Sequence, residues 1–312
     1  MSETHLTGLR ADCAHGFLAA MGVLAATRFS APELRLHWSS DFIPHAVISG
    51  VASTTLLDIL LTDRDHRLAG AVLNHPAGNP YETLKCAAEE LADWSTRIGD
   101  LPDDDPDVDL WAALVVEGGF DNNNRSKPTH FDFSAGQVKF LKVVRDIAEA
   151  LTAEMLTEAL YGPWRYESSL STLRFEKEGE RMQALRAVPP ANEPVKGVPG
   201  ADWLAFRGLA LYPLSLIPGR DRARVVTPAC DINWNSGGFR WPVWADPLSY
   251  DAAAALVTDG RLVSEERDRR QHDTESLSAW GIRSVWESSI VRSGQGYGSF
   301  GPAKQIARGI HG

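Results

Sequence analysis

Residues 17–27 carry no charged side chain and consist of small and aliphatic residues around Phe17, which makes this stretch the strongest constraint on the fold. Phe17, Met21 and Leu24 recur at i, i+4 and i+7, the spacing of one buried helical stripe, while Ala19, Ala20 and Gly22 permit close packing. A bilayer span needs about 20 apolar residues, and this run has about half of that. It follows Asp12 and His15 rather than a basic leader, so it reads as a core helix and not as a signal peptide or an anchor.

The rest of the chain arranges itself around that helix. Residues 6–16 read as a glycine-punctuated turn, and residues 34–38 alternate like a half-buried strand. The patterns predict a helix over 44–61 starting at Pro44, an amphipathic helix over 81–98, a short strand over 110–116 and one long helix over 137–160. Between 189 and 200, four prolines and two glycines mark a linker or long surface loop, the best candidate boundary. Beyond it, 203–211 restarts an apolar pattern, 225–227 and 239–244 read as strands, and 249–257 as a short helix.

The expected class is α+β: a helix-rich N-terminal half with a mixed or antiparallel sheet, then short strands and long loops in the C-terminal half. The corresponding regions are 1–188, with an acidic loop near 100–109, and 201–312, mixed α/β. One continuous domain also accommodates both.

Charge is unevenly spread. Residues 1–120 hold 7 Lys+Arg against 18 Asp+Glu, whereas residues 121–312 hold 24 against 23, so the overall −10 conceals a nearly neutral remainder. Six aspartates fall within 100–109, where like-charge repulsion and two prolines predict a solvated loop. A calcium loop would need a turn glycine and a closing glutamate, and neither is there. Three well-separated cysteines (Cys13, Cys86, Cys230) argue against a disulfide framework or zinc site and for a reducing, cytoplasmic setting.

Catalytic signatures are sparse. The nine histidines form no HxH, HExxH or HxxxH pair, and neither a GxSxG elbow nor a GxxxxGK[ST] loop is present. The glycines at 294, 296 and 298 follow no convincing strand and leave no room for a βαβ unit. No cofactor, metal or catalytic residue is therefore expected.

Three segments ask for more than folding. In residues 118–136, Asn122, Asn123 and Asn124 precede Arg125, Ser126 and Lys127, a dense set of amide, hydroxyl and cationic donors suited to phosphate and sugar oxygens. The same asparagines equally suit a turn that caps its own backbone. Residues 164–186 interleave Trp164, Tyr166 and Phe175 with Arg165, Arg174, Lys177, Arg181 and Arg186, although nearby glutamates offer ordinary surface partners. Residues 283–304 place a glycine, serine and aromatic run between Arg292 and Lys304, or else form a plain glycine-rich loop. Trp234, Trp241 and Trp244 lie close to Phe239 and Arg240, downstream of Arg220, Arg222 and Arg224, and suit a stacking surface, a core or a protein interface.

The opening Leu6-Thr7-Gly8 with residues 16–24 resembles the glycine-flanked start of several CRISPR-associated large or accessory subunits. Residues 131–137, 200–209 and 241–249 are similar in order to the accessory Cascade subunit of the type I-U (I-G) systems. The resemblance touches about half of the chain, in short islands, and none of them is a catalytic signature. The resemblance implies a non-catalytic subunit of an RNA-guided surveillance complex, whose partners are CRISPR RNA or target DNA and other Cascade subunits, with no membrane. It makes residues 122–127 the principal nucleic-acid contact, with Arg174, Lys177, Arg292 and Lys304 as supporting cations. The acidic first third would then face a basic neighbouring subunit. Two other classes stay open: a hydrolase of unrecognised type using dispersed groups such as His15 and Asp132, and a tryptophan-anchored scaffold without nucleic-acid contact.

Overall fold

The computed structural model describes residues 3–74, 81–176, 196–220, 222–231, 237–260, 274–292 and 297–308. Strand β1 (Glu3–Arg10) leads into helix α1 (Ala14–Thr27), every residue of which is buried. There follow β2 (Arg35–Trp38), β3 (His45–Ser49), α2 (Ser53–Ala69), α3 (Ala88–Gly99), α4 (Pro106–Leu114), α5 (Phe140–Ala150) and α6 (Ala153–Tyr161). Past the proline-rich segment come α7 (Pro199–Gly208), a single 3-10 turn (Leu209–Leu211), β4 (Ser215–Ile217), β5 (Arg224–Val226) and β6 (Gly238–Trp244). The chain ends with α8 (Tyr250–Val257), α9 (Thr274–Ala279), β7 (Ile282–Arg292) and β8 (Gly298–Arg308).

The class is α+β, with helices dominating the first half and every described strand pairing antiparallel. β3 is central in the sheet β1-β3-β2, β4 and β5 form a hairpin, and β7 is central in β6-β7-β8. No described helix is long and apolar enough to cross a membrane.

Small residues let α1 and α7 meet backbone to backbone. A Cβ added to Gly22 would stand 1.7 Å from the Leu204 carbonyl oxygen, and one added to Gly208 would stand 2.1 Å from that of Leu18. Aromatic rings close the other side of α1: Phe17 stacks on Trp38 at 5.5 Å and packs against Trp241 and Trp244. The Trp241 indole donates to the Ala11 carbonyl at 2.8 Å, and the Trp244 indole donates to that of Leu36 at 2.9 Å. These two tryptophans are therefore core, and they join residues from both sides of the proline-rich segment in one apolar cluster. Trp234 lies outside the described residues.

Several local expectations are corrected. Residues 44–61 do not begin a helix at Pro44. The β-branched Val47 and Ile48 pair on both sides as the middle strand, Gly50 turns the chain at φ +97, and α2 starts only at Ser53. Residues 110–116 are not a strand, because Asp105 caps α4 from outside and Pro106 occupies its first turn, so the apolar run continues a helix. The pattern over 137–160 divides at Leu151, where Thr152 caps α6 and Arg64 holds the Ala148 and Leu151 carbonyls. In the 81–98 pattern, helix begins at Ala88, and Ala87 makes a bridge with Arg125 instead.

Part of the acidic segment is also not solvated. Asp107 is buried, ion-pairs with Arg67 and accepts the Val72 N–H at 3.2 Å. Arg67 lies 3.9 Å from Asp63, and Asp63 accepts from Arg207 Nε at 2.7 Å and Nη2 at 3.0 Å. Charges that look disordering in sequence thus anchor α2 and α4, and reach α7.

Candidate nucleic-acid interface

The Asn-rich segment is a tight hairpin clamped at its base. Asp121 starts it: its carboxylate accepts the Asn123 N–H at 2.8 Å and the Arg125 N–H at 3.0 Å, and its own N–H donates to the Arg125 carbonyl. Asn124 takes the left-handed conformation at φ +55 that closes the turn. The Asp121 carboxylate thereby meets the Asn123 and Arg125 N–H groups, and the side chains of Asn122, Asn123, Asn124 and Arg125 are exposed. The three strands of contact below the tip are equally specific. Ser126 is buried, donates to the Leu84 carbonyl at 2.5 Å and accepts the Cys86 N–H at 3.0 Å. Lys127 donates its N–H to Gly119, and the His130 N–H bonds the Thr227 hydroxyl at 3.0 Å.

This clamping gathers cations from three distant segments. Lys85, Lys127 and Arg224 line a hollow of about 270 Å³ together with Asp121, Ser126 and His130. Arg125 reaches the Lys85 carbonyl at 3.1 Å, and Arg222 binds the Asp121 carbonyl. Backbone N–H bonds from Arg125 and Asn123, aided by the Lys85 and Lys127 charges, hold the Asp121 carboxyl below its ordinary range. Burial and the Arg292 charge depress His130 to about 4, so it is neutral at physiological pH. Around one ionised aspartate, therefore, stand Lys85, Arg125, Lys127, Arg222 and Arg224. Such a surface suits oxyanions of a backbone better than a cation.

The other sequence candidates are placed differently. Arg292 is directed inward, donating to the carbonyls of His130 and Asp132 at 3.0 Å each and lying over Phe133; burial lowers its pKa to about 10. Its role is to brace the segment after the hairpin. Arg174, at φ +63, lies 5.0 Å over the Tyr297 ring. Lys304 sits on β8 and pairs with Glu287 at 2.9 Å, a carboxylate that Arg240 also holds at 2.6 Å. Lys177 lies outside the described residues.

Lys85 was missed by sequence reasoning, because a helical pattern runs across its segment and only the Cys86–Ser126 pairing brings it to the hairpin. Arg222 and Arg224 were visible as a cation cluster, but nothing local tied them to residue 121.

His15 and Asp132 do not meet as a pair. Asp132 is buried and accepts both the N–H and the hydroxyl of Ser134, at 2.9 and 2.6 Å. His15 lies between Asp202, at 3.4 Å, and Glu176, at 3.7 Å, beside a separate cavity. Among the described residues, no group of three or more His, Cys, Asp or Glu side chains could hold a metal ion. No protein-family model matches the chain, and no curated protein matches it.

Proposed function

We propose that the chain is a non-catalytic, cytoplasmic subunit of a type I CRISPR RNA-guided surveillance complex that contacts CRISPR RNA or target DNA through the 119–127 hairpin. One observation carries this reading: five cations from three chain segments converge on a hairpin whose asparagine and arginine side chains are exposed. Cations supply sequence-independent attraction to phosphates, and exposed amides can bond sugars, phosphates or an unstacked base edge. Sequence reading would then belong to base pairing within the complex.

Three of the islands that carry the resemblance fall on packed elements. Residues 16–24 lie in α1, 200–208 form most of α7 and 241–244 lie in β6, and these are the elements that build the core. The acidic residues Asp103 and Asp104 remain exposed and offer a face to a basic neighbouring subunit.

The test is replacement of Arg125 and Lys127 by Glu, followed by reconstitution with partner subunits and CRISPR RNA. Assembly and RNA retention should fall together while the melting temperature of the isolated chain is unchanged. Unaltered assembly and RNA retention would refute the site.

A further inference from the structure

A second hollow lies elsewhere, between the bulged end of β1, the start of α1, residues 161–166, residues 175–176 and the outer strand β8. Its volume is about 780 Å³, and the hairpin cations do not line it. Its chemistry is two-sided. Trp164, Tyr166 and Phe300 supply aromatic wall, Glu176 supplies a carboxylate, and Arg10 and Asp12, paired with each other at 2.5 Å, also line it. The Tyr166 hydroxyl donates to Glu176 Oε2 at 2.7 Å, from a backbone held at φ +55, a left-handed conformation that is costly for a bulky residue. Trp164 is fixed by its indole N–H on the Ala159 carbonyl at 3.0 Å and packs on the His15 ring at 5.0 Å.

His15 lines the cavity and is 2 % exposed, with its ring nitrogens 3.7 Å from Glu176 and 3.4 Å from Asp202. Burial alone would lower its pKa, but Glu176 and Asp202 outweigh burial and raise it. Glu176 thus has the His15 ring behind it while its carboxylate faces the cavity. A planar neutral ring with adjacent N–H donors meets these conditions. A guanidinium or ammonium would bring a further cation into a cavity that Arg10 already lines.

We propose that this cavity binds a guanine base, its N1–H and 2-amino group donating to Glu176 and its face lying against the Trp164 and Tyr166 wall. Guanine is the one common base that presents two adjacent donors to a carboxylate. Adenine and cytosine present an amino group beside an acceptor, and uracil presents a single N–H between two carbonyls. The base could belong to a free nucleotide or to an unpaired guanine in a single strand, since the recognition chemistry is the same.

The test is tryptophan-fluorescence titration of the full chain with GMP, AMP, CMP and UMP, and with single-stranded RNA hexamers containing or lacking one guanine. GMP should bind saturably and at least about tenfold more tightly than AMP, as a bidentate contact confers. Glu176→Gln should abolish that preference, and Tyr166→Phe, which frees the carboxylate but keeps the ring, should weaken it. Preference among hexamers as well as among mononucleotides assigns the site to strand binding; preference among mononucleotides alone assigns it to a free nucleotide. Equal affinity for all four nucleotides, no saturation by GMP or the guanine hexamer, or competition by arginine amide as effective as GMP would overturn the proposal. Arg125→Glu with Lys127→Glu should leave GMP binding intact, so failure of the hairpin site and failure of this one are separable.

Discussion

Gly22 of α1 and Leu204 of α7 touch through their backbones: a Cβ on Gly22 would fall 1.7 Å from the Leu204 carbonyl oxygen. No rotamer change relieves an overlap with main chain, so Gly22→Ala must separate α1 from α7. The expected loss is about 3 kcal/mol of folding stability, read as a lowered urea midpoint. An unchanged midpoint would mean that α1 and α7 do not pack this way.

The buried Arg207–Asp63 pair makes a second test. Asp63→Ala leaves a guanidinium that is 1 % exposed without its bidentate acceptor, and should cost about 3–5 kcal/mol. Adding Arg207→Met removes the stranded charge and should recover much of that loss. A double variant no more stable than Asp63→Ala would show that the arginine is held by something else.

Two buried histidines should tilt the pH dependence of stability in opposite directions. His130 has a folded pKa of about 4, below its ordinary value of 6.5, so its contribution is complete above pH 6.5 and is lost as pH falls toward 4. The full swing is about 3 kcal/mol, and His130→Gln should flatten the acid side of the unfolding profile. His15 is raised instead, so its contribution is present below pH 6.5 and is lost as pH climbs through its folded pKa. His15→Gln should therefore flatten the neutral-to-alkaline side. Urea denaturation across pH 4–9 reads both, and identical profiles for wild type and variants would contradict the assignments.

The α1 helix was legible because an uncharged run of small and aliphatic residues admits little except burial. The strand at 45–49 was not, since Val47 and Ile48 fit either period and only pairing with two neighbours selects extended backbone. The start of α4 was written locally, in Asp105 followed by Pro106, but six aspartates concealed it; the buried partner of Asp107 is Arg67, which no local pattern could show. At the hairpin, the Asn122–Lys127 donors were readable from composition. The convergence of Lys85, Arg222 and Arg224 on them was not, because pairing between distant segments created it. Glu176, His15 and Asp202 likewise meet only after β1, α1 and α7 have packed.

If the hairpin grips phosphates, binding of single-stranded RNA should weaken steeply with salt. Engagement of three phosphates gives a log–log slope of about −2, and Arg125→Glu with Lys127→Glu should reduce its magnitude by about one unit or more. Filter binding from 50 to 300 mM salt measures this. A slope near zero in the wild type would exclude phosphate contact as the source of affinity.

The central claim is membership of an RNA-guided complex, and its most direct test is purification of the tagged chain from its native host with sequencing of the bound nucleic acid. The account predicts short, uniform RNAs sharing a repeat-derived end, recovered with partner subunits and lost from the Arg125→Glu, Lys127→Glu variant. A chain that purifies alone, free of nucleic acid and of partners, would contradict it.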